Sequence, residues 1–353
     1  MRDFFNYTRK DLKNYLSEVS EPTVHAVSMF KRVYKFAPDP PWKAQTISLR
    51  LSNIMKKEFS IAPLEIVQFQ ESLMDSTIKF VFNLVDDNQI ETVLMPEIDR
   101  ITLCISSQVG CRQACSFCQT SHMGLVRNLT AGEIINQIYT VKSWLEINTD
   151  WVIKNKYEIG STVSNIVFMG MGEPMDNVKE VIRAIDVITD GNGFAIAQKR
   201  VSVSTSGHVD GLLTLHKSFP RIPIALSLLN PFNEERSKLM PINKKWPLTK
   251  VIETLIHIQK DNNKFVFIQY PMIKDYNDTK AHAIKLAEIL ASLNARVNII
   301  QYNPIFDATF ETASSDNIQL FCDILFESGY MVTVRKSNGQ DISAGCGQLI
   351  QRK

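Results

Sequence analysis

Apolar and polar positions change their rhythm along this chain. Up to residue 57 apolar residues recur at helical spacing. Leu12, Tyr15 and Leu16 form one stripe and Val27, Phe30 and Tyr34 another, which predicts short amphipathic helices. The segment APDPPW at 37–42 breaks the chain after them. Between residues 63 and 95 the pattern turns extended: KFVFNLV and ETVLM are rich in β-formers and are separated by the turn-like DDNQ. From about residue 100 strand-like and helix-like runs alternate. The candidate strands are RITLCIS (100–106), SNIVFMGM (164–171), RVSVSTS (200–206), IPIALSLL (222–229), FVFIQYPMI (265–273) and VNIIQYN (297–303), with a late YMVTVRK (330–336). Between them lie amphipathic runs such as LTAGEIINQIYTVKSWL, in which Thr130 and Glu133 fit a capping box and Ile134, Ile135, Ile138, Val141 and Leu145 share a face. Six strands alternating with helices predict an α/β fold with a parallel sheet curled into a partial barrel. The change of rhythm near residue 95 divides the chain into an accessory part, 1–95, and a larger part, 96–353.

Composition adds less than distribution. With 353 residues and 44% apolar content the chain can bury a large core. No apolar run reaches the ~18 residues of a membrane span, and MRDFFNYTRKDL is not a signal peptide. The expectation is a cytoplasmic protein without membrane contact, and nothing demands more than a monomer. The net charge of +2 is uninformative, but residues 1–57 hold 11 Lys and Arg against 5 Asp and Glu. A basic helical segment on a weakly acidic body suits a polyanion such as RNA, although a solvated helix face would read the same way.

The candidate chemistry begins after the first strand of the alternating region. Cys111, Cys115 and Cys118 stand at Cys-x3-Cys-x2-Cys spacing in GCRQACSFCQT, and no fourth cysteine lies nearby. Structural zinc closes with four protein ligands, and a [4Fe–4S] cluster is commonly held by four thiolates. Three would leave one iron open to an outside ligand, which marks a reaction centre. In parallel α/β folds chemistry gathers at the carboxyl ends of the strands. Those ends carry Gly170-Met171-Gly172-Glu173-Pro174, Ser204-Thr205-Ser206-Gly207, Ser227-Leu228-Leu229 and Asn303-Pro304.

These residues resemble the RlmN/Cfr family of radical S-adenosylmethionine (SAM) dual-specificity RNA methyltransferases. The resemblance rests on CxxxCxxC, GMGEP, STSG, MPINKK, YNP and DISAGCGQL and runs through nearly the whole chain. It implies a partial (β/α)6 radical SAM barrel with a small, basic, helical N-terminal accessory domain that binds RNA. It implies a [4Fe–4S] cluster on Cys111, Cys115 and Cys118. SAM, two molecules per turnover, would be lined by Gly172, Glu173, Ser204, Ser227, Leu228, Leu229 and Asn303. Cys346 would accept a methyl group, Glu91 would remove a proton from the adenine ring, and Cys104 would release the product by forming a disulfide with Cys346. Radical chemistry suits an electron-poor amidine carbon, to which ordinary methyl transfer is unsuited. The implied partners are 23S rRNA, tRNA and an electron donor such as flavodoxin.

Two positions depart from the family pattern. Leu229 stands where a histidine is usual after Ser-Leu, and Gln269 stands where a glutamate is usual before Tyr270. Pro174 points to the RlmN side, with methylation at carbon 2 of adenine. The stretch Glu234 to Asn243 looks more like the Cfr side, with methylation at carbon 8. A third reading is a non-catalytic RNA-binding protein whose cysteine loop holds zinc with His122. His122 otherwise reads as loop surface, Cys322 as helix packing, Glu91 as a solvated strand residue, and Arg335, Lys336, Lys244 and Lys245 as exposed cations or phosphate contacts.

Overall fold

Three helices lead the chain: α1 (Arg9–Glu18), α2 (His25–Lys35) and α3 (Leu49–Glu58). The computed structural model describes residues 1–35, 40–43, 47–158, 160–260, 264–306 and 309–350. Thr8 and Asp11 start α1 with a reciprocal capping box, which satisfies free N–H groups of its first turn. Two short strands, β1 (Arg2–Asp3) and β2 (Phe59–Ser60), pair in parallel and bring the two ends of the helical segment together. The break expected at 37–42 lies partly outside the described residues, which include a 3-10 turn at Pro41–Lys43.

The sheet then begins with three antiparallel strands, β3 (Glu65–Glu71), β4 (Ile78–Asn83) and β5 (Gln89–Glu97). β5 pairs with β6 (Arg100–Cys104), the first strand of the alternating region. After β6 comes a small ribbon of β7 (Gln108–Gly110) and β8 (Leu125–Asn128), with the one-turn helix α4 (Gln119–His122) between them. Helices α5 (Ala131–Ile147) and α6 (Thr149–Lys154) lead to β9 (Asn165–Phe168). The rest alternates: α7 (Val178–Thr189), β10 (Val201–Thr205), α8 (Val209–Ser218), β11 (Ile224–Ser227), α9 (Asn233–Leu239), α10 (Leu248–Lys260), β12 (Val266–Met272), α11 (Lys280–Leu290), β13 (Ala295–Gln301), α12 (Ser315–Glu327) and β14 (Met331–Arg335).

One ten-stranded sheet results, in the order β14-β13-β12-β11-β10-β9-β6-β5-β4-β3. From β6 to β14 every neighbouring pair is parallel, so these strands present their carboxyl ends to one side. The alternation of apolar runs thus gives the expected partial barrel, and α5 starts with the expected Thr130–Glu133 capping box. A division between residues 95 and 96 falls inside β5. Because β5 continues into the ladder with β6, the antiparallel strands extend the barrel sheet. The leading helices are also joined to the body by apolar packing. Phe5 meets Tyr139 of α5 at 4.8 Å between ring centres, and Tyr34 meets Phe194 at 4.9 Å. Such aromatic pairs add to the area they bury.

Candidate active site

The cysteine loop is held at its neck by the β7–β8 ribbon. Gly110 has φ +74°, and a Cβ there would stand 1.9 Å from the Gly124 carbonyl oxygen. Only glycine allows this approach, and the next N–H, of Cys111, donates to that same oxygen at 2.9 Å. Further along, the Ser116 N–H donates to the Leu239 carbonyl of α9 at 3.1 Å. Cys111 and Cys115 are buried and Cys118 is half-buried. Burial pushes the Cys111 thiol up to about 12 and the Cys115 thiol well above its usual range. All three line one cavity with Gly172, Glu173, Ser204, Ser227, Leu229 and Asn303. The cavity therefore brings together the three cysteines and most of the strand-end residues singled out in the sequence.

Leu228 does not belong with them. Its side chain is fully buried and is not part of the cavity lining, although those of Ser227 and Leu229 on either side are. Leu229 lines the cavity with φ +64°, a backbone conformation unusual for a branched side chain, and its carbonyl accepts from Asn277 Nδ2 at 2.7 Å. Glu173 is buried and already engaged. One carboxylate oxygen accepts from the N–H and hydroxyl of Ser206, and the other accepts from the Met175 N–H at 3.0 Å. Burial raises its pKa while these bonds oppose the rise.

The segment carrying Cys346 forms a wall of the same cavity. The Gln119 N–H donates to the Gly347 carbonyl at 2.7 Å, and the Thr120 hydroxyl donates to the Leu349 carbonyl at 2.6 Å. Asn303 Nδ2 reaches both the Ser337 hydroxyl at 2.8 Å and the Cys346 carbonyl at 3.2 Å. A Cβ at Gly345 would stand 2.7 Å from that same Asn303 nitrogen, so the residue before Cys346 must be small. Cys346 is open to solvent, but only from within a cleft whose walls still push its thiol up to about 11. Cys104 ends β6 just outside the lining, near enough for its charge and that of Cys346 to oppose each other. Burial raises the Cys104 thiol too, and both cysteines are free thiols here.

Glu91 is not the solvated strand residue its hairpin position suggests. It is 1% exposed, lies 3.4 Å from the Lys79 ammonium, and accepts the Ile350 N–H at 2.9 Å. It too lies outside the cavity lining, behind the Cys346 segment. His122 is exposed and does not line the cavity, so the zinc reading finds no fourth ligand there. Cys322 is half-buried on α12, as packing predicts. Arg335, Lys336, Lys244 and Lys245 are exposed.

Sequence reasoning missed Arg236, which is 0% exposed. Its guanidinium donates to the carbonyls of Leu228, Ser206 and Ser227 and to the Asn243 side chain, at 2.6–3.1 Å. Burial lowers it to about 10, and the nearby Cys115 opposes that fall. Arginine reads as surface in a sequence; only its place in α9, the short helix after β11, shows otherwise.

The donor set fits an iron–sulfur cluster. Among the described residues, no three His, Cys, Asp or Glu side chains converge on one point as the ligands of a single ion do. All three cysteines line the same cavity, so a group larger than one ion, seated in it, can take all three thiolates. The Ser116 hydroxyl in the same loop is buried with no hydrogen-bond partner among the described residues. Beside the thiols stand small hydroxyl and glycine positions open to a ligand.

Comparisons with known proteins agree with this geometry. Residues 105–287 match the Radical SAM superfamily. The chain is 39% identical over 302 residues, 85% of its own length and 79% of the other's, to the "Probable dual-specificity RNA methyltransferase RlmN 1" of Protochlamydia amoebophila. It is 35% identical over its full length, and over 98% of the relative's, to the "Dual-specificity RNA methyltransferase RlmN" of Campylobacter lari. A solved structure of a radical SAM methyltransferase from Sphaerobacter thermophilus superposes with a TM-score of 0.89 at 34% identity, covering 99% of each chain.

Proposed function

On the premise that this chain belongs to the RlmN family of dual-specificity RNA methyltransferases, within the radical SAM superfamily, we propose how its own residues carry the reaction. The chain is a radical SAM RNA methyltransferase that uses a [4Fe–4S] cluster and two SAM per turnover. Its product is adenosine methylated at carbon 2, in 23S rRNA and in tRNA. When bound, the cluster and SAM supply a methyl group and a carbon-centred radical.

Cys111, Cys115 and Cys118 would hold the cluster. Gly172, Glu173, Ser204, Ser227, Leu229 and Asn303 would bound the SAM site, with Glu173 fixed by Ser206. Cys346, on the wall shared with the cysteine loop, accepts the methyl group as a thiolate and presents it to the adenine. Glu91 takes the ring proton, and the Cys104 thiolate attacks the sulfur of Cys346, so that the S–S bond forms as the S–C bond to the nucleotide breaks and the freed carbon takes up a proton to become the methyl group of the released RNA. That exchange needs one thiol deprotonated and both within bonding distance. The adenine must be unstacked to enter, so single-stranded or unfolded RNA is the substrate form. The basic helices α1 to α3 would meet its phosphates, and Lys10, Lys31, Lys56 and Lys57 are exposed there. The electron donor would be a small redox protein such as flavodoxin, and the working state a cytoplasmic monomer. No helix among the described residues is long and apolar enough to cross a membrane.

The observation that carries this reading is the Gln119–Gly347 hydrogen bond, which joins the cysteine loop to the segment bearing Cys346. The test is anaerobic turnover on unmodified rRNA and tRNA with SAM and a reductant, with the digested RNA compared with 2-methyl- and 8-methyladenosine. 2-Methyladenosine is expected. 8-Methyladenosine would place the chain on the Cfr side, and no methylation despite SAM cleavage would overturn the RNA substrate.

A further inference from the structure

Lys79 and Glu91 are diagonal neighbours on one face of the β4–β5 pair. Lys79 stands opposite Val93, and Glu91 stands opposite Val81. Both are almost wholly buried, at 2% and 1% exposure. Its neighbours on that face, Val81 and Val93, are apolar, and Val93 is buried. A side chain of that kind would fill this place without the cost of desolvating an ammonium. The charge therefore calls for a role beyond packing.

Its contacts suggest that role. Lys79 Nζ lies 3.4 Å from Glu91 Oε1 and donates to the Ser343 carbonyl at 3.4 Å. The other carboxylate oxygen of Glu91 takes the Ile350 N–H at 2.9 Å. The pair thus grips the Cys346 segment on both sides of the cysteine. Two other side chains hold the same segment from the β3–β4 turn. Ser72 donates to Asp341 at 2.6 Å, and Asp75 accepts from the Gly339 N–H at 2.9 Å. Those contacts anchor the segment, whereas Lys79 touches both the segment and the carboxylate.

We infer that Lys79 is the positioning residue for Glu91, fixing the carboxylate relative to the Cys346 segment so that it meets the adenine brought to Cys346. The inference rests on the reading of Glu91 as the base. Glu91 needs a partner that stays in place when Ile350 gives way to substrate. The ion pair with Lys79 on the neighbouring strand supplies it.

The test separates formation of the radical from its use. Full-length K79M, K79R and E91Q chains are loaded with cluster and turned over on unmodified RNA. Three quantities are counted: 5′-deoxyadenosine released, methyladenosine formed, and RNA left covalently joined to Cys346. For K79M, 5′-deoxyadenosine release should stay within about twofold of wild type. Methyladenosine per 5′-deoxyadenosine should fall about tenfold or more, by the weight of a misplaced general base. The missing product should appear as joined RNA, and K79R should recover most of the coupling. Where K79M does not fold, K79Q replaces it. Loss of all three quantities in proportion to the loss of folded chain, unrescued by K79R, would reduce Lys79 to a structural residue. Unchanged coupling in folded K79M or K79Q would also overturn the inference. Wild-type coupling in E91Q is a different failure, since it removes Glu91 as the base whatever Lys79 does.

Discussion

The Glu173 carboxylate accepts both the backbone N–H and the hydroxyl of Ser206, at 2.7 and 2.6 Å. The two residues sit after adjacent parallel strands, so the bonds tie together the glycine turn after β9 and the hydroxyl turn after β10. Burial already opposes charge on Glu173. The S206A substitution removes a donor worth about 1.5–3 kcal/mol when its acceptor is charged. If Glu173 contacts SAM, affinity for SAM should fall by roughly tenfold or more. Calorimetric titration of the cluster-loaded chain checks this, and undiminished affinity would detach Glu173 from the SAM site.

The two thiols outside the cysteine loop should fail at different stages. C346A removes the group that accepts the methyl, so neither protein nor RNA should be methylated. C104A keeps that acceptor, so the chain should emerge one methyl heavier at Cys346, or joined to RNA, without releasing methyladenosine. Intact-protein mass spectrometry distinguishes the outcomes. Methyladenosine released at the wild-type rate by C104A would exclude disulfide exchange as the release step.

Raised thiols give a signed pH dependence. Cys346 is pushed from 9.0 up to about 11, and Cys104 is raised as well, both chiefly by burial. Methylation of Cys346 needs the thiolate. While thiolate supply limits it, the rate should rise about tenfold per pH unit until pH approaches 11. Stability moves the opposite way. The folded chain keeps protons that the unfolded chain gives up, so the contribution is complete below about pH 9 and drains away above it. Thermal midpoints of the cluster-free chain should fall from about pH 9 upward, and should fall less in C346A.

Arg236 should matter for folding more than its surface-like sequence suggests. It satisfies three backbone carbonyls and Asn243 inside the barrel end. R236M takes the donor from the Ser206 and Ser227 carbonyls and from Asn243, at about 1–3 kcal/mol for each buried acceptor left unpaired, while the Leu228 carbonyl keeps the Asn230 N–H at 2.8 Å. A loss of more than ~3 kcal/mol in denaturant unfolding is expected. R236K should rescue only in part, because an ammonium cannot reproduce the planar fork.

The seven parallel strands were legible because each is a short β-rich run closed by glycine, proline or small polar residues. Helix α5 was legible from its cap. Helix α9 was not, because NEERSKL has too few apolar residues to show a face and is placed by the buried bonds of Arg236. The β7–β8 ribbon was hidden because three- and four-residue strands carry almost no periodic signal. At the site, the cysteines, Glu173 and Asn303 were visible from motif and strand position. Leu228 was named with its neighbours because a motif names consecutive residues, and its side chain is not part of the cavity lining. The burial of Lys79 and Glu91 was invisible because alternation reports which residues share a face and leaves open which face is covered. Here the cover comes from the far end of the sequence.

Val93 stands opposite Lys79 on one side and opposite Cys104 on the other. The lysine, the glutamate two residues before Val93, and the sulfur are therefore spaced by the rungs of a backbone ladder. One residue inserted between Glu91 and Val93 of β5 would turn Glu91 to the opposite face while leaving Cys104 in place. Lengthening the loop between β4 and β5 would leave all three undisturbed. Variation in length among related chains should therefore gather in that turn and be absent from the strand beside it.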